Sequence, residues 1–249
     1  MFRLFKNSPP ASVPDFSGLG IDMHSHLLPG IDDGALHLDN SLDLIRGLQK
    51  LGYQRIITTP HVMSVYYPNK RETILRLRDE VSEAILAAGI EVAFDAAAEY
   101  YLDETFSDLL AREPLLTLPG HRVLVEMSFR QPYPDLHRIL FELQMKGYQP
   151  ILAHPERYPY YQTLEHYENL KTMGCAFQVN LLSLSGYYGK SVQAAAQKLM
   201  EHGLIDYLGT DMHHERHLEH LGMALSHENV IRGLSQDSLK NNLLDGSIL

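Results

Sequence analysis

A chain of 249 residues with 45% hydrophobic and 21% charged side chains can bury a sizeable core as one large domain. Its formal net charge of −10 argues against a nucleic-acid partner, because phosphate backbones attract basic patches. The single cysteine, Cys175, excludes an internal disulfide and a thiolate metal cluster, and no apolar run reaches the length of about 18 residues that membrane insertion needs.

Residues 1–18, containing NSPPASVPD, are rich in Pro and Ser and read as a flexible N-terminal leader. They lack the long apolar segment of a signal peptide, so a cytoplasmic location is expected. Short apolar runs then alternate with amphipathic stretches. GLGIDMHSH reads as a strand, and LDNSLDLIRGLQKLG as a helix capped near Asp39 or Asn40 and stopped at Gly52. RIITTPH, EVAFDAAAEYY and RVLVEMSF read as strands, with a long helix over NKRETILRLRDEVSEAILAAG and a short one near TFSDLLAR. A helix over PDLHRILFELQMKG precedes the strands QPILAHPE, AFQVNLLSL and DYLGTDMH, which are separated by helices near 164–173 and 190–202. The last helices lie beyond residue 214. Seven strands, each followed by a helix, imply parallel pairing in one wound α/β domain over residues 19–249, closed or nearly closed into a barrel.

Most of these apolar runs end in residues able to bind metal. The first ends in His24-Ser25-His26, the second in His61, the third in Glu99, the fourth in Glu126, the fifth in His154 and the seventh in Asp211-Met212-His213. In a parallel barrel the carboxyl ends of the strands meet on one face, where active sites are built. Strand residues two apart point the same way, so His24 aims with His26, and Asp211 with His213. Taken singly each has a structural alternative: a loop or core histidine, or a carboxylate capping a neighbouring helix. Taken together, six strand ends point to one metal cluster. His37, His121, His137 and His166 read as solvated, as do His214, His217 and His220, and the apolar surroundings MGCAFQVN make Cys175 a buried, inert thiol.

DMHSH, TTPH, AAEYY, LVEMSF, AHPERY and TDMH resemble the motif series of the polymerase-and-histidinol-phosphatase (PHP) superfamily, and within it the bacterial protein-tyrosine phosphatases of capsule and exopolysaccharide synthesis. The resemblance runs from about residue 20 to about 215. It implies a distorted (β/α)7 TIM-like barrel with up to three divalent ions. His24, His26 and Asp211 would hold the first ion, and Glu99 would bridge it to the second, held by Glu126 and His154. Asp33 from IDDG, His61 and His213 would hold the third. Arg157 from HPER matches the family's phosphate-contacting arginine; Arg216 is the candidate for a second one, although it stands closer to the DMH triplet than in relatives. Manganese is the ion the resemblance favours, while imidazole and carboxylate donors suit iron or zinc as well. The implied partner is a phosphotyrosine protein, an autophosphorylated bacterial tyrosine kinase.

The chemistry these residues suit is hydrolysis of a phosphomonoester. Four carboxylates facing three divalent ions leave a net positive site in an acidic chain, which attracts a phosphate dianion. Metal ions lower the pKa of water toward neutrality, so that hydroxide attacks phosphorus in line while Arg157 stabilises the phosphoryl oxygens; His213 or a metal-bound water is the candidate to protonate the leaving group, and a phenolate needs little such help. No Cys-x5-Arg loop occurs, which excludes the cysteine-dependent phosphatase mechanism. Asp22 and Asp32 read as residues orienting the ligands, with a solvated role open for Asp22. Tyr66, Tyr67, Tyr100, Tyr101, Tyr133, Tyr158, Tyr160 and Tyr161 flank the motifs; they are candidates for an aromatic rim that grips a phenyl ring, or ordinary loop tyrosines. Two other readings use the same donors: a phosphatase of small phosphomonoesters such as histidinol phosphate or a phosphosugar, and an amidohydrolase-like enzyme. The latter usually needs a bridging lysine, and no strand here ends in one.

Overall fold

Strand and helix follow from where the apolar residues recur. The computed structural model describes residues 15–161 and 163–246. In chain order the first elements are β1 (Ile21–Asp22), α1 (Leu38–Lys50), β2 (Arg55–Thr58), β3 (His61–Val62), α2 (Arg71–Ala87), β4 (Ala93–Ala96) and β5 (Glu99–Tyr101). Next come α3 (Phe106–Arg112), β6 (Arg122–Glu126), α4 (Leu136–Met145), β7 (Gln149–Ala153), α5 (Leu164–Thr172) and β8 (Ala176–Asn180). The chain closes with α6 (Leu181–Ser185), α7 (Lys190–Glu201), β9 (Tyr207–Gly209), α8 (Glu215–Ala224) and α9 (Glu228–Leu234). Helix α2 buries Ile74, Leu77, Val81 and Ile85, a spacing that keeps one stripe against the sheet.

All strand pairs are parallel, in the orders β1-β2-β4 and β3-β5-β6-β7-β8-β9. The two sheets are one ladder with a jog. Pro60 has no N–H to give, so RIITTPH breaks into β2 and β3, and EVAFDAAAEYY breaks beside it into β4 and β5. The ladder continues across the break through Ala97 N–H to Thr58 O (2.9 Å) and Glu99 N–H to Pro60 O (3.1 Å). The last strand returns to the first: Asp211 N–H donates to His24 O and His26 N–H to Met212 O, each at 2.8 Å. At the opposite end the Asn241 side chain fills the gap, donating to Ile21 O (3.2 Å) and Leu208 O (2.8 Å) and accepting from Leu208 N–H (3.1 Å). The seven strands expected from the sequence therefore stand as a ring of parallel strands.

Alternation along the strands sorts the core into two layers. Ile57, Leu124, Ile151 and Ala153 point inside and pack with Ile21, Met23 and Tyr207. Their neighbours Ile56, Val123, Val125, Leu152, Phe177 and Val179 point outward to the helices.

The strand end after Asn180 and the α1 cap differ from expectation. AFQVNLLSL is a strand only to Asn180; LLSLS forms α6, ended by Gly186 at φ +86°, because a short apolar run does not separate strand from buried helix. The leader expected over residues 1–18 lies outside the described residues as far as residue 14. Its end is packed: Phe16 is fully buried, donates its N–H to Leu51 O and stacks on Tyr53 at 5.4 Å. The α1 cap is His37, whose Nδ1 accepts from Asn40 N–H at 3.1 Å. Among the described residues no helix is long and apolar enough to cross a membrane.

Candidate metal centre

The strand ends converge as the alternation requires. Asp33, His61, Glu99, Glu126, His154, Asp211 and His213 line one cavity of about 270 Å³. His24 and His26 lie beneath it, fully buried, with their Nε2 atoms 3.2 and 3.4 Å from Glu99 Oε2. Local backbone makes this approach possible. A Cβ at Gly34 would stand 2.0 Å from the His26 carbonyl oxygen, so glycine alone lets the Asp32–Asp33 loop lie against His26. His154 (φ +32°) and Asp211 (φ +51°) are left-handed although neither is glycine. Such strain at two strand ends marks positions where side-chain direction outweighs backbone comfort.

The donors face a shared gap rather than one another's protons. His24 Nδ1 is 2.8 Å from Gln178 Oε1 and His26 Nδ1 is 2.8 Å from Asp32 Oδ2. Both acceptors fix the tautomer, leaving the two Nε2 lone pairs turned to the cavity. His213 is set likewise, with Nδ1 2.8 Å from Asp211 O. Glu99 Oε2 also lies 3.1 Å from His61 Nδ1, and Glu99 Oε1 lies 3.4 Å from His154 Nε2. Yet neither Glu99 oxygen, nor His61 Nδ1, has a hydrogen-bond partner. Ligand atoms about 2.1 Å from a common ion stand about 3.0–3.4 Å apart, which is the spacing seen. A buried carboxylate without a partner is expensive, and a cation removes that cost.

Charge balance points the same way. Burial, together with the negative Glu99 and Asp211, pushes the Glu126 carboxyl well above its ordinary pKa. Burial opposes ionisation of Glu99 too, but the imidazoles of His24 and His61 hold it well below the usual range. His154 and His213 are pushed down to about 4, chiefly by burial, and so stay neutral with lone pairs to offer. The donors fall into overlapping groups: His24, His26 and Asp211; His24, Glu99 and His154; His61, Glu99 and Glu126; and His26, Asp33, His61 and His213. His61 faces both ways, Nδ1 toward Glu99 and Nε2 toward Asp33 at 3.5 Å.

Arg157 sits at the cavity in a 3-10 turn, where Nη1 donates to Asp211 Oδ2 at 2.9 Å. Its guanidinium lies 4.7 Å from the Phe129 ring centre and 4.4 Å from that of Tyr188. Arg216 is the one candidate not brought in. It lines a separate depression with Tyr187 and His220, because on α8 it occupies a different face from His217, which lines the cavity.

Several residues at the site were not anticipated. Gln178 holds His24, and Asn180 Nδ2 donates to Asp211 Oδ2 at 2.7 Å. Their signal was present in AFQVN, where two amides occupy the inward positions of an otherwise apolar strand. His217 was expected in solvent but is buried at the cavity, with Nδ1 3.1 Å from Asp211 O. Asp32 holds the ring of His26, a candidate ligand, as expected. Asp22 is buried rather than solvated and accepts from Thr210 N–H (2.9 Å) and Oγ1 (2.8 Å), holding the turn next to Asp211. Cys175 is buried, with its thiol pushed up to about 12 by burial.

The expected tyrosine rim divides. Tyr100 and Tyr158 are buried, their hydroxyl oxygens accepting from Leu116 N–H (2.7 Å) and Met127 N–H (3.0 Å), so neither grips a ligand. Tyr67 stacks on His61 at 5.5 Å, and Tyr101 and Tyr133 line a neighbouring groove. The rings that line the cavity itself are Phe129, 40% exposed, and Tyr188.

Comparison with known proteins gives this arrangement relatives. The family described as capsular polysaccharide synthesis, CpsB/CapC, matches residues 20–242. The chain is 30% identical over 200 residues to the tyrosine-protein phosphatase YwqE of Bacillus subtilis, covering 78% of this chain and 77% of YwqE. It is 29% identical over 204 residues to the tyrosine-protein phosphatase CpsB of Streptococcus pneumoniae, covering 78% and 82%. A solved structure described as YwqE and CpsB, metal-dependent tyrosine phosphatases, superposes with a TM-score of 0.75 at 26% identity over 88% of this chain and 95% of that one. A lactonase from Listeria monocytogenes, at 12% identity and a TM-score of 0.52 over 92% of each chain, shares the fold alone.

Proposed function

This chain belongs to the CpsB/CapC family of capsular polysaccharide synthesis, and from that premise we propose that it hydrolyses phosphotyrosine in proteins with the help of divalent metal ions. The observation that carries the reading is Glu99: a fully buried carboxylate with both oxygens unpartnered, surrounded by imidazoles whose lone pairs face it. His24, His26 and Asp211 would hold one ion and Glu126 and His154 a second, with Glu99 between them. Asp33, His61 and His213 would hold a third. Ions bound there supply positive charge and a lowered pKa for water, hence hydroxide at neutral pH. Manganese is the ion we favour, from the family resemblance.

The remaining work falls to the chain's own groups. Arg157, with one N–H engaged by Asp211, has further donors in a fixed fork to meet the phosphoryl oxygens as charge builds on them. Phe129 and Tyr188 restrict where the guanidinium lies. Gln178 and Asp32 keep the ring directions of His24 and His26 before substrate arrives, so little reorganisation remains at the moment of reaction. A phenolate leaves readily, so departure of the leaving group needs little proton transfer. The proposed partner is an autophosphorylated tyrosine kinase of capsule synthesis, a substrate that the family's role supports.

The test joins elemental analysis of the purified protein with assays on a phosphotyrosine peptide, a phosphoserine peptide and histidinol phosphate. Phosphotyrosine turnover is expected to exceed the others, to vanish with chelator and to return with manganese. Turnover that survives complete chelation overturns the reading, and a preference for histidinol phosphate moves it to small phosphomonoesters.

A further inference from the structure

The 270 Å³ cavity is large enough for a phosphorylated side chain, not for the polypeptide that carries it. A second cavity, of about 440 Å³, begins two residues along the chain from the candidate ligands Glu99 and Glu126. Tyr101, on its wall, stands opposite Glu126 in the β5–β6 register, and Leu102 N–H donates to Glu126 O at 2.8 Å. On the other side Ser128 lines this groove while the next residue, Phe129, lines the metal cavity. The two hollows thus share the loop after β6 and stand on either side of the β5–β6 pair.

The groove has the chemistry of a peptide track. Tyr101, Leu102, Pro132, Tyr133 and Pro134 give it flat, stiff walls. Asp103 is not available to a ligand, since its carboxylate already accepts from Ser64 N–H and Oγ and from Thr105 N–H and Oγ1. Those bonds fix the wall in place. Glu104 and Asp135 are exposed at the same groove. Glu104 makes no ion pair among the described residues, and Asp135, at the α4 cap, forms no side-chain capping bond and only a 3.5 Å contact with Arg138.

We propose that this groove seats the polypeptide flanking the phosphotyrosine and that Glu104 and Asp135 select basic residues there. The proposal rests on the phosphatase reading and names a feature that a small-phosphomonoester enzyme would not use. Exposed charge pairs are weak, so the selection is modest and fades with salt.

The test compares free phosphotyrosine, a phosphotyrosine peptide flanked by lysines and one flanked by glutamates, all on the metal-loaded protein. The wild type is expected to show a KM about fivefold lower for the lysine peptide than for the glutamate peptide at low salt. Glu104→Lys combined with Asp135→Asn is expected to erase that preference, and Tyr133→Ala to raise KM for both peptides. Turnover of free phosphotyrosine is expected to stay at the wild-type value in each variant, which also shows that each is folded. A wild type without the preference, or a charge variant that keeps it, overturns the proposal. Should the wild type turn over no phosphotyrosine at all, the phosphatase reading fails instead. Anisotropy of a labelled lysine peptide then still decides the groove, by equal or unequal affinity in wild type and charge variant.

Discussion

Two buried carboxylates at opposite ends of the ring show what separates a structural charge from a functional one. Asp206, at the amino end of β9, is 6% exposed and fully engaged. Its side chain accepts from Phe177 N–H (2.8 Å), from Lys240 Nζ (2.7 Å) and from Lys171 Nζ. Glu99, on the carboxyl face, is more deeply buried, has imidazoles rather than a lysine or arginine beside it, and satisfies neither oxygen. Burial is therefore the same signal at both ends, and satisfaction is the discriminating one. A chain keeps an unsatisfied buried charge only where something outside the chain completes it.

The sharpest way to break that comparison is to remove each charge in turn. Glu99→Gln keeps shape and deletes charge; turnover of a phosphotyrosine peptide is expected to fall by at least about 10³-fold. Near-normal turnover would mean that the nine donors do not act as a site. Asp206→Ala should do the reverse. It leaves Phe177 N–H buried without an acceptor, at a cost of about 3 kcal/mol, and lowers Tm by about 5–10 °C, while metal content and turnover per folded molecule stay unchanged. A loss of activity without a loss of stability there would show that the two ends do not differ as argued.

The same contrast explains how far the sequence could be read. Strands were legible because inward and outward residues are both apolar, and their order alone implied a parallel ring. The candidate ligands were legible because a His or Glu at the end of an apolar run is conspicuous, and the structure brings these side chains together at one cavity. What could not be read was anything set by neighbours remote in sequence. Gln178 meets His24 across 154 residues, and no local pattern announces that pairing. Tyr158 looked like a rim residue because it follows HPER, yet its hydroxyl is taken by Met127 N–H. His217 looked solvated within HHERHLEH, yet α8 turns it inward, onto the Asp211 carbonyl. Where β8 passes into α6, LLSLS carries no period that distinguishes the two.

Arg157 and Arg216 repeat the comparison on the cationic side, with the smallest effect expected. Both follow a ligand motif by three residues, Arg157 after His154 and Arg216 after His213. The turn after β7 is tight and folds Arg157 back over the cavity, where Asp211 and two aromatic rings hold it. The segment after β9 enters α8, and Arg216 leaves along the helix toward Tyr187, 6.0 Å from that ring. Electrostatic stabilisation of a phosphoryl group needs donors within contact of the oxygens, and of the two arginines Arg157 lines the cavity while Arg216 lines a separate depression. Arg216→Ala should therefore leave kcat/KM for a phosphotyrosine peptide within about twofold of wild type, the range of a screened surface charge. A fall of 10²-fold or more, the order expected on losing a direct transition-state donor, would show that α8 swings its first turn over the cavity when substrate binds.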